Sequence, residues 1–249
     1  MTNTTIALVT GANKGIGRTV AARLAELGWT VLLGSRDPER GAAAAAELTA
    51  RDRRDGPRGG DGPRVHVIEL DVTSETSVRA AAKLVDAEYG RLDVLVNNAG
   101  IGGSRAAAVD VGADEMREVY ETNVFGPVRM MRAFVPLLRR SAAPRVVMVS
   151  SGMGSIAVTT DPARLESTLI GLPYPSSKTA LNMVTSQYAK ALPGFRVNAA
   201  DPGYTATDLN GHNGHQTLAE GSDAIVALAT VAPDGPTGGF FDRAGPVPW

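Results

Sequence analysis

The chain should fold as a doubly wound α/β protein: one domain built on a parallel sheet of about seven strands, with helices on both faces. Three observations lead there. Short apolar runs alternate with amphipathic segments along all 249 residues, the pattern of repeated β-α-β units. The apolar runs are rich in β-branched residues and do not alternate with polar ones, which suits strands buried on both faces. The first run, Ile6-Ala7-Leu8-Val9, leads straight into the glycine-rich turn Thr10-Gly11-Ala12-Asn13-Lys14-Gly15-Ile16-Gly17.

Strands are expected at 5–10, 30–35, 65–70, 92–96, 145–150, 196–200 and 239–241. Between them, helices are expected at 15–27, 38–49, 75–89, 113–138, 175–192 and 216–231. Pro127 and Pro136 interrupt the fourth helix, which is then two helices or one with a kink. Residues 51–64 (RDRRDGPRGGDGPR) are rich in Gly, Pro and charge and read as a mobile surface loop. Residues 155–173 are punctuated by Asp161-Pro162 and Leu172-Pro173, which stop structure rather than extend it. Their mix of apolar and charged residues suggests a short surface helix. No repeat or second domain is evident.

Composition removes several function classes. A hydrophobic content of 43% with 20% charged residues is ordinary for a globular protein. A net charge of −1 gives no electrostatic footprint for nucleic acid. With no cysteine, disulfides, thiolate catalysis and zinc-thiolate sites are excluded. No apolar stretch approaches the ~20 residues of a membrane span, and the N-terminus lacks the basic region of a signal peptide. The expected location is cytoplasmic. His212 and His215 form a His-x-x-His pair, but no carboxylate or thiolate accompanies it and flanking glycines oppose a helix. No metal site is expected.

Two motifs carry chemistry. A glycine turn between strand and helix lets backbone approach a phosphate, and the free N–H groups and positive helix end favour the anion. Farther on, Ser150-Ser151 ends an apolar run, and Tyr174 and Lys178 stand one helical turn apart, 23 residues after Ser151. A phenol has an ordinary pKa of ~10, a poor match to neutral pH. A lysine on the same helical face would stabilise the phenolate and lower that value.

In this order, the motifs resemble the short-chain dehydrogenases/reductases, and the resemblance covers nearly the whole chain. It implies a Rossmann-type fold and hydride transfer between a nicotinamide and a ketone or alcohol. The spacing Gly11-x-x-x-Gly15-x-Gly17 is the family's phosphate turn. Asn97-Asn98-Ala99-Gly100 matches its Asn-Asn-Ala-Gly signature, so that Asn97 would tie the sheet together while Asn98, Ala99 and Gly100 lie against the cofactor. Asp71-Val72 matches the pair bordering adenine, although Asp71 would also serve as a helix cap.

The catalytic set implied is Asn123, Ser151, Tyr174 and Lys178. Tyr174 would be the proton donor, Ser151 would orient the carbonyl, and Lys178 would also bond the nicotinamide ribose. Asn123 would hold a water that links the lysine to solvent. Asp201-Pro202-Gly203-Tyr204-Thr205 matches the turn meeting the nicotinamide amide, with Thr205 and Thr207 competing for the threonine role. Residues 206–216 should then be a mobile substrate lid, and Met153, Ile101, Gly102 and Leu209 an apolar pocket wall.

Cofactor choice rests on the end of the second strand. An acidic residue there would bond the ribose of NAD. Ser35-Arg36 offers a hydroxyl and a guanidinium instead, which suit a 2′-phosphate. Lys14 adds a cation, Asn13 completes the Asn-Lys pair of the turn, Ile16 completes the turn itself, and Arg40 lies one turn beyond Arg36. Asp37 is the competitor for the ribose, and Arg36 and Arg40 also read as plain helix-start residues. NADP(H) is preferred, with NAD(H) the alternative.

The long interval between Ser151 and Tyr174, together with Asn13-Lys14, is similar to the carbonyl-reductase and menthone-reductase type members. The expected function is NADPH-dependent ketone reduction on a small-molecule substrate. The alternatives are an NAD-linked alcohol dehydrogenase or a catalytically silent nucleotide-binding regulator. Monomer and homo-oligomer stay open, as does the particular substrate.

Overall fold

A computed structural model describes residues 4–55, 65–104 and 106–249. Its sheet runs in the order β3-β2-β1-β4-β5-β6-β7-β8. The strands are β1 (Ile6–Val9), β2 (Thr30–Ser35), β3 (Val65–Glu69), β4 (Val94–Asn97), β5 (Arg145–Val149), β6 (Arg196–Ala200), β7 (Phe240–Asp242) and β8 (Gly245–Pro246). All pairs are parallel except β7–β8, a two-residue antiparallel return that the sequence reading did not include. The order reverses between β1 and β4, so the crevice at their C-terminal ends is the switch point where such sheets bind ligands.

Side-chain alternation along the strands builds two cores. On β1, Ile6 and Leu8 face one helical layer, and Ala7 and Val9 face the other. The first layer is α3 (Glu75–Tyr89), α5 (Gly126–Leu138) and α7 (Pro173–Ala191), with Val78, Val85, Met130, Phe134 and Leu181 buried. The second is α1 (Gly15–Glu26), α2 (Pro38–Asp55) and α8 (Leu218–Ala229), with Val20, Leu24, Ala44, Ile225 and Leu228 buried. The edge strand β3 departs from the expected continuous burial: Val65 and Ile68 are buried, and His66 and Glu69 are exposed.

Three helices depart by two residues or more from their expected bounds. Helix α2 continues through residues 50–55, so the expected loop starts later. No helix breaker stands before Gly56-Pro57, and the Ala, Glu and Arg run favours continuation. The rest of that expected loop, 56–64, lies outside the described residues. Helix α7 begins at Pro173, two residues early, since first-turn N–H groups need no partner and proline fits there. Helix α8 is trimmed to its capping box, in which Thr217 accepts from Glu220 N at 3.2 Å while Glu220 accepts from Thr217 N at 2.9 Å.

The expected fourth helix is α4 (Ala113–Tyr120) joined to α5 by a π-helical turn, Glu121–Phe125. Gly126 N bonds back to Glu121 O across that turn. The break therefore lies just ahead of Pro127, and Pro136 is carried inside α5. Single π turns often occur at functional positions, and this one carries Asn123.

Candidate active site

Six loops leave the C-terminal ends of β1 through β6 and enclose one cavity of about 880 Å³. Every residue named above as a cofactor contact lines it, from Gly11 in the first loop to Thr205 in the last. The wall is close-fitted backbone at this end. A side chain at Gly17 would collide with the Asn98 amide and the Gly11 carbonyl. Gly11 and Gly15 have φ of 61° and 57°, which few other residues adopt. Thr10 locks the glycine turn to the fourth loop: its Oγ1 accepts from Asn98 N and Ala99 N, each at 2.9 Å, and Asn98 Nδ2 returns a bond to Thr10 O at 2.8 Å.

The adenine side carries both signs of charge. Arg36 is exposed, lines the cavity and has no hydrogen-bond or ion-pair partner among the described residues. Asp37, the rival for a ribose, is already engaged. Its Oδ1 accepts from Glu39 N and Arg40 N at 3.1 and 3.0 Å, and its Oδ2 pairs with Arg40 Nε at 3.2 Å. Ser35 is buried and donates to Asp37 O at 2.6 Å. Asp71 does not cap α3. Ser74 does, accepting from Ser77 N, while Asp71 Oδ1 accepts from Thr73 N at 2.9 Å and stays on the cavity wall with Val72.

Lys14 is not free. Its Nζ lies 2.6 Å from Asp208 Oδ2, on the short helical turn Asp208–Asn210 of the expected lid. His212 Nε2 holds the other Asp208 oxygen at 2.9 Å, and His215 packs on the Tyr204 ring. No group of three potential metal ligands occurs among the described residues. Thr205 is buried and donates its hydroxyl to Pro202 O at 2.9 Å, while its neighbour Thr207 also lines the cavity.

At the opposite end, the serine pair divides. Ser150 is buried and touches the cavity wall, but its hydroxyl donates to Asn182 Oδ1 at 2.5 Å. Ser151 turns into the cavity beside Tyr174 and accepts from Met153 N at 3.2 Å. The turn Gly152–Gly154 rests directly on the α7 backbone. A Cβ at Gly154 would lie 2.7 Å from the carbonyl carbon of Lys178. Tyr174 and Lys178 both line the cavity, with the lysine ammonium 5.5 Å from the tyrosine ring centre.

Electrostatics here differ from the expectation of a lowered phenol. Burial pushes Tyr174 up to about 12, a hydrogen bond with Ser151 opposes the shift, and the Asp201 carboxyl adds to it. Burial also brings Lys178 down to about 8, with Asp201 opposing. Lys178 donates to Val149 O at 2.8 Å. In the protein alone, burial outweighs the lysine.

Asn123 sits behind the cavity rather than on its wall. Its Oδ1 accepts from Ile101 N at 2.9 Å, and its Nδ2 donates to Ile101 O and Ser177 Oγ, each at 3.0 Å. Its side chain therefore clamps the fourth loop to α7.

Two carboxyls were not singled out from sequence. Asp201 is buried in the turn that follows β6. Its Oδ1 accepts from Gly203 N at 2.9 Å, and burial raises it despite that bond. Glu166 stands on the turn Leu165–Thr168 and also lines the cavity. A charged residue at the C-terminal end of a strand was a usable signal for Asp201. Nothing in the sequence marked Glu166.

A doubly wound sheet with a glycine turn at its switch point and a Tyr-Ser-Lys group in the same cavity defines a nucleotide-dependent oxidoreductase. The family model described as short chain dehydrogenase matches residues 5–217, and the chain belongs to that family of oxidoreductases. Among curated relatives, it is 35% identical to (-)-isopiperitenone reductase of Mentha piperita, covering 95% of this chain and 96% of that one. It is also 35% identical to (+)-neomenthol dehydrogenase of Arabidopsis thaliana, with 95% of each covered. The carbonyl reductase from chicken fatty liver, solved with NADPH bound, superposes with a TM-score of 0.84 at 28% identity, covering 99% of both chains. These are the reductase types that the glycine turn and long serine–tyrosine interval led one to expect.

Proposed function

We propose that the chain is an NADPH-dependent carbonyl reductase in which Tyr174 gives the proton to the ketone oxygen. The observation that carries this is the placement of Tyr174, Ser151 and Lys178 at one end of a cavity whose other end offers the unpaired Arg36. The cofactor fits the residues present. The backbone N–H groups of the glycine turn suit its pyrophosphate, Arg36 and Arg40 suit a 2′-phosphate, and Lys178 reaches the ribose side. The commitment of Asp37 to its helix and to Arg40 favours NADP(H) over NAD(H).

When bound, NADPH supplies the hydride. Ser151 orients the carbonyl by donating its hydroxyl hydrogen, which polarises the carbon. As negative charge builds on the oxygen, Tyr174 transfers its proton. A phenol held at about 12 is fully protonated at neutral pH, the state a donor requires. Lys178, buried beside the ring, stabilises the phenolate left behind. Asn123 fixes the wall between Ile101 and α7. Residues 206–216 act as a lid and residues 155–173 as a pocket rim, with Leu165, Leu169, Ile170, Leu209 and Met153 giving the rim its apolar surface.

The test is a panel of ketones run separately with NADPH and NADH, following loss of the reduced nicotinamide absorbance. Turnover with NADPH and little with NADH is expected. Equal use of both, or none across the panel, would overturn the reading.

A further inference from the structure

We infer that Glu166 makes this reductase selective for ketones carrying a fixed positive charge on an apolar skeleton. The inference rests on the proposed reductase reading and names the substrate class of that site.

The two ends of the cavity differ in charge. At the end assigned to the nucleotide, Lys14 and Arg40 are paired with Asp208 and Asp37, and Arg36 stands unpaired among the described residues. At the substrate end, Lys178 is tied to Val149 O, and the carboxylates of Glu166 and Asp201 converge on the backbone that follows Ser151. A Cβ at Gly152 would lie 2.8 Å from Glu166 Oε1 and 3.0 Å from Asp201 Oδ2. The two carboxyls feel each other, since Glu166 helps hold Asp201 upward.

Glu166 is the accessible member of the pair. Its side chain is 20% exposed, and its one hydrogen-bond or ion-pair partner among the described residues is Arg164, whose Nε is 3.5 Å from Oε2. That distance is the outer limit of a hydrogen bond, and Arg164 is not on the wall of the large cavity. Oε1 turns the other way, toward Gly152 and the reaction centre. Leu165 and Leu169, on either side of Glu166 in sequence, line the same cavity.

An apolar wall with Glu166 and Asp201 set beside each other in it favours a cation and repels an anion. In a partly buried cleft, charges interact far more strongly than in water. Arg164, outside the wall, neutralises this field only in part. A keto acid would bring a third negative group to the same place. A ketone with a quaternary or protonated nitrogen would balance the charge and bury its carbon skeleton against the leucines.

The probes are 1,1-dimethyl-4-oxopiperidinium and 4,4-dimethylcyclohexanone, which share shape and differ in charge. Wild type should prefer the cation by about tenfold in kcat/KM, a difference of about 1.4 kcal/mol. Glu166→Gln should erase that preference, bringing the kcat/KM ratio of the two ketones to about one. An unchanged melting temperature would show that the variant is folded. No preference in wild type, or one that survives in Glu166→Gln, would overturn the inference. Calorimetric binding of both compounds separates this from the parent reading. Equal binding sinks the charge selection, whereas charge-selective binding without turnover of any ketone supports Glu166 and sinks the reductase assignment.

Discussion

At the nucleotide end of the cavity, the wall is backbone, drawn tight by glycines and locked by Thr10 across 88 residues of chain. At the substrate end, the wall is side chains on short turns: Leu165, Glu166 and Leu169 on one rim and Leu209 on the other. The first end depends on groups that every residue has, arranged by a few glycines. The second depends on which side chains happen to be present. Asp201 and Glu166 both lie on the cavity wall beside Gly152. Both are acidic beside a reaction that develops negative charge, and both bear on the electrostatics of the catalytic centre.

The sharpest break at the chemical end is Tyr174→Phe. It removes the proton donor and keeps the ring, so kcat should fall by about 10²- to 10⁴-fold while the NADPH Kd stays within about twofold. Retention of more than about a tenth of the parent rate would remove Tyr174 from the acid role.

Next is the pH dependence of folding that Lys178 imposes. Burial holds its ammonium down to about 8, below the ordinary 10.5. Between those values, the unfolded chain binds a proton that the folded chain has given up. Folding therefore carries a penalty at neutral pH that fades as the pH rises through this window. Relative to Lys178→Met, the wild type without cofactor should gain about 2–3 kcal/mol of unfolding free energy between about pH 7.5 and about pH 10. Above pH 10 the raised Tyr174 acts in the opposite sense, since the folded state then holds the extra proton. Urea titrations of both proteins across the window check this, and a flat difference would mean that Lys178 is not held down by burial.

Arg36→Ala tests the nucleotide end. Loss of a charge-assisted contact should cost about 1.5–3 kcal/mol, or about ten- to a hundredfold in NADPH affinity. NADH, without the 2′-phosphate, should bind as before. Equal losses would place Arg36 outside phosphate recognition.

The legibility of the sequence follows the same division. Residues placed by backbone at strand ends were readable because their spacing is their function. Gly11, Gly17, Asn98, Ser151 and Tyr174 all line the cavity where their motifs implied. What periodicity could not supply was the cost of burial. The same helix turn that pairs Tyr174 with Lys178 also buries both, and desolvation reverses the expected direction for the tyrosine. Asn123 was legible as a position and not as a set of partners, because Ile101 and Ser177 are near it only through the π turn and α7. Glu166 was illegible because its approach to Gly152 depends on how the insertion folds back, which no local pattern encodes.

The insertion gives the smallest and most discriminating effect, and the structure changes how it should be cut. Its first part is structural. Helix α6 (Ile156–Thr159) buries Val158 with Ala199, Phe240 and Val247. Ser155 Oγ donates to Pro248 O at 2.7 Å, and Ala157 N to Trp249 O at 3.2 Å. Removing 155–160 would unseat the chain's last strands. The second part, 161–170, carries the rim, and its apolar residues face the cavity and solvent: Ile170 is 88% exposed. Replacing 161–170 by a short glycine-serine linker should therefore remove apolar surface rather than uncover it, so no new association is expected. It should cost about 1 kcal/mol of substrate contact, roughly fivefold in KM, and reorder a ketone series. The NADPH Kd should not move, because no backbone of the nucleotide end lies in that segment. Steady-state kinetics on several ketones, with cofactor titration on the same samples, decide it. An unaltered ketone ranking would show that the segment is no rim, and a weakened cofactor would show that the two ends of the cavity are not built independently.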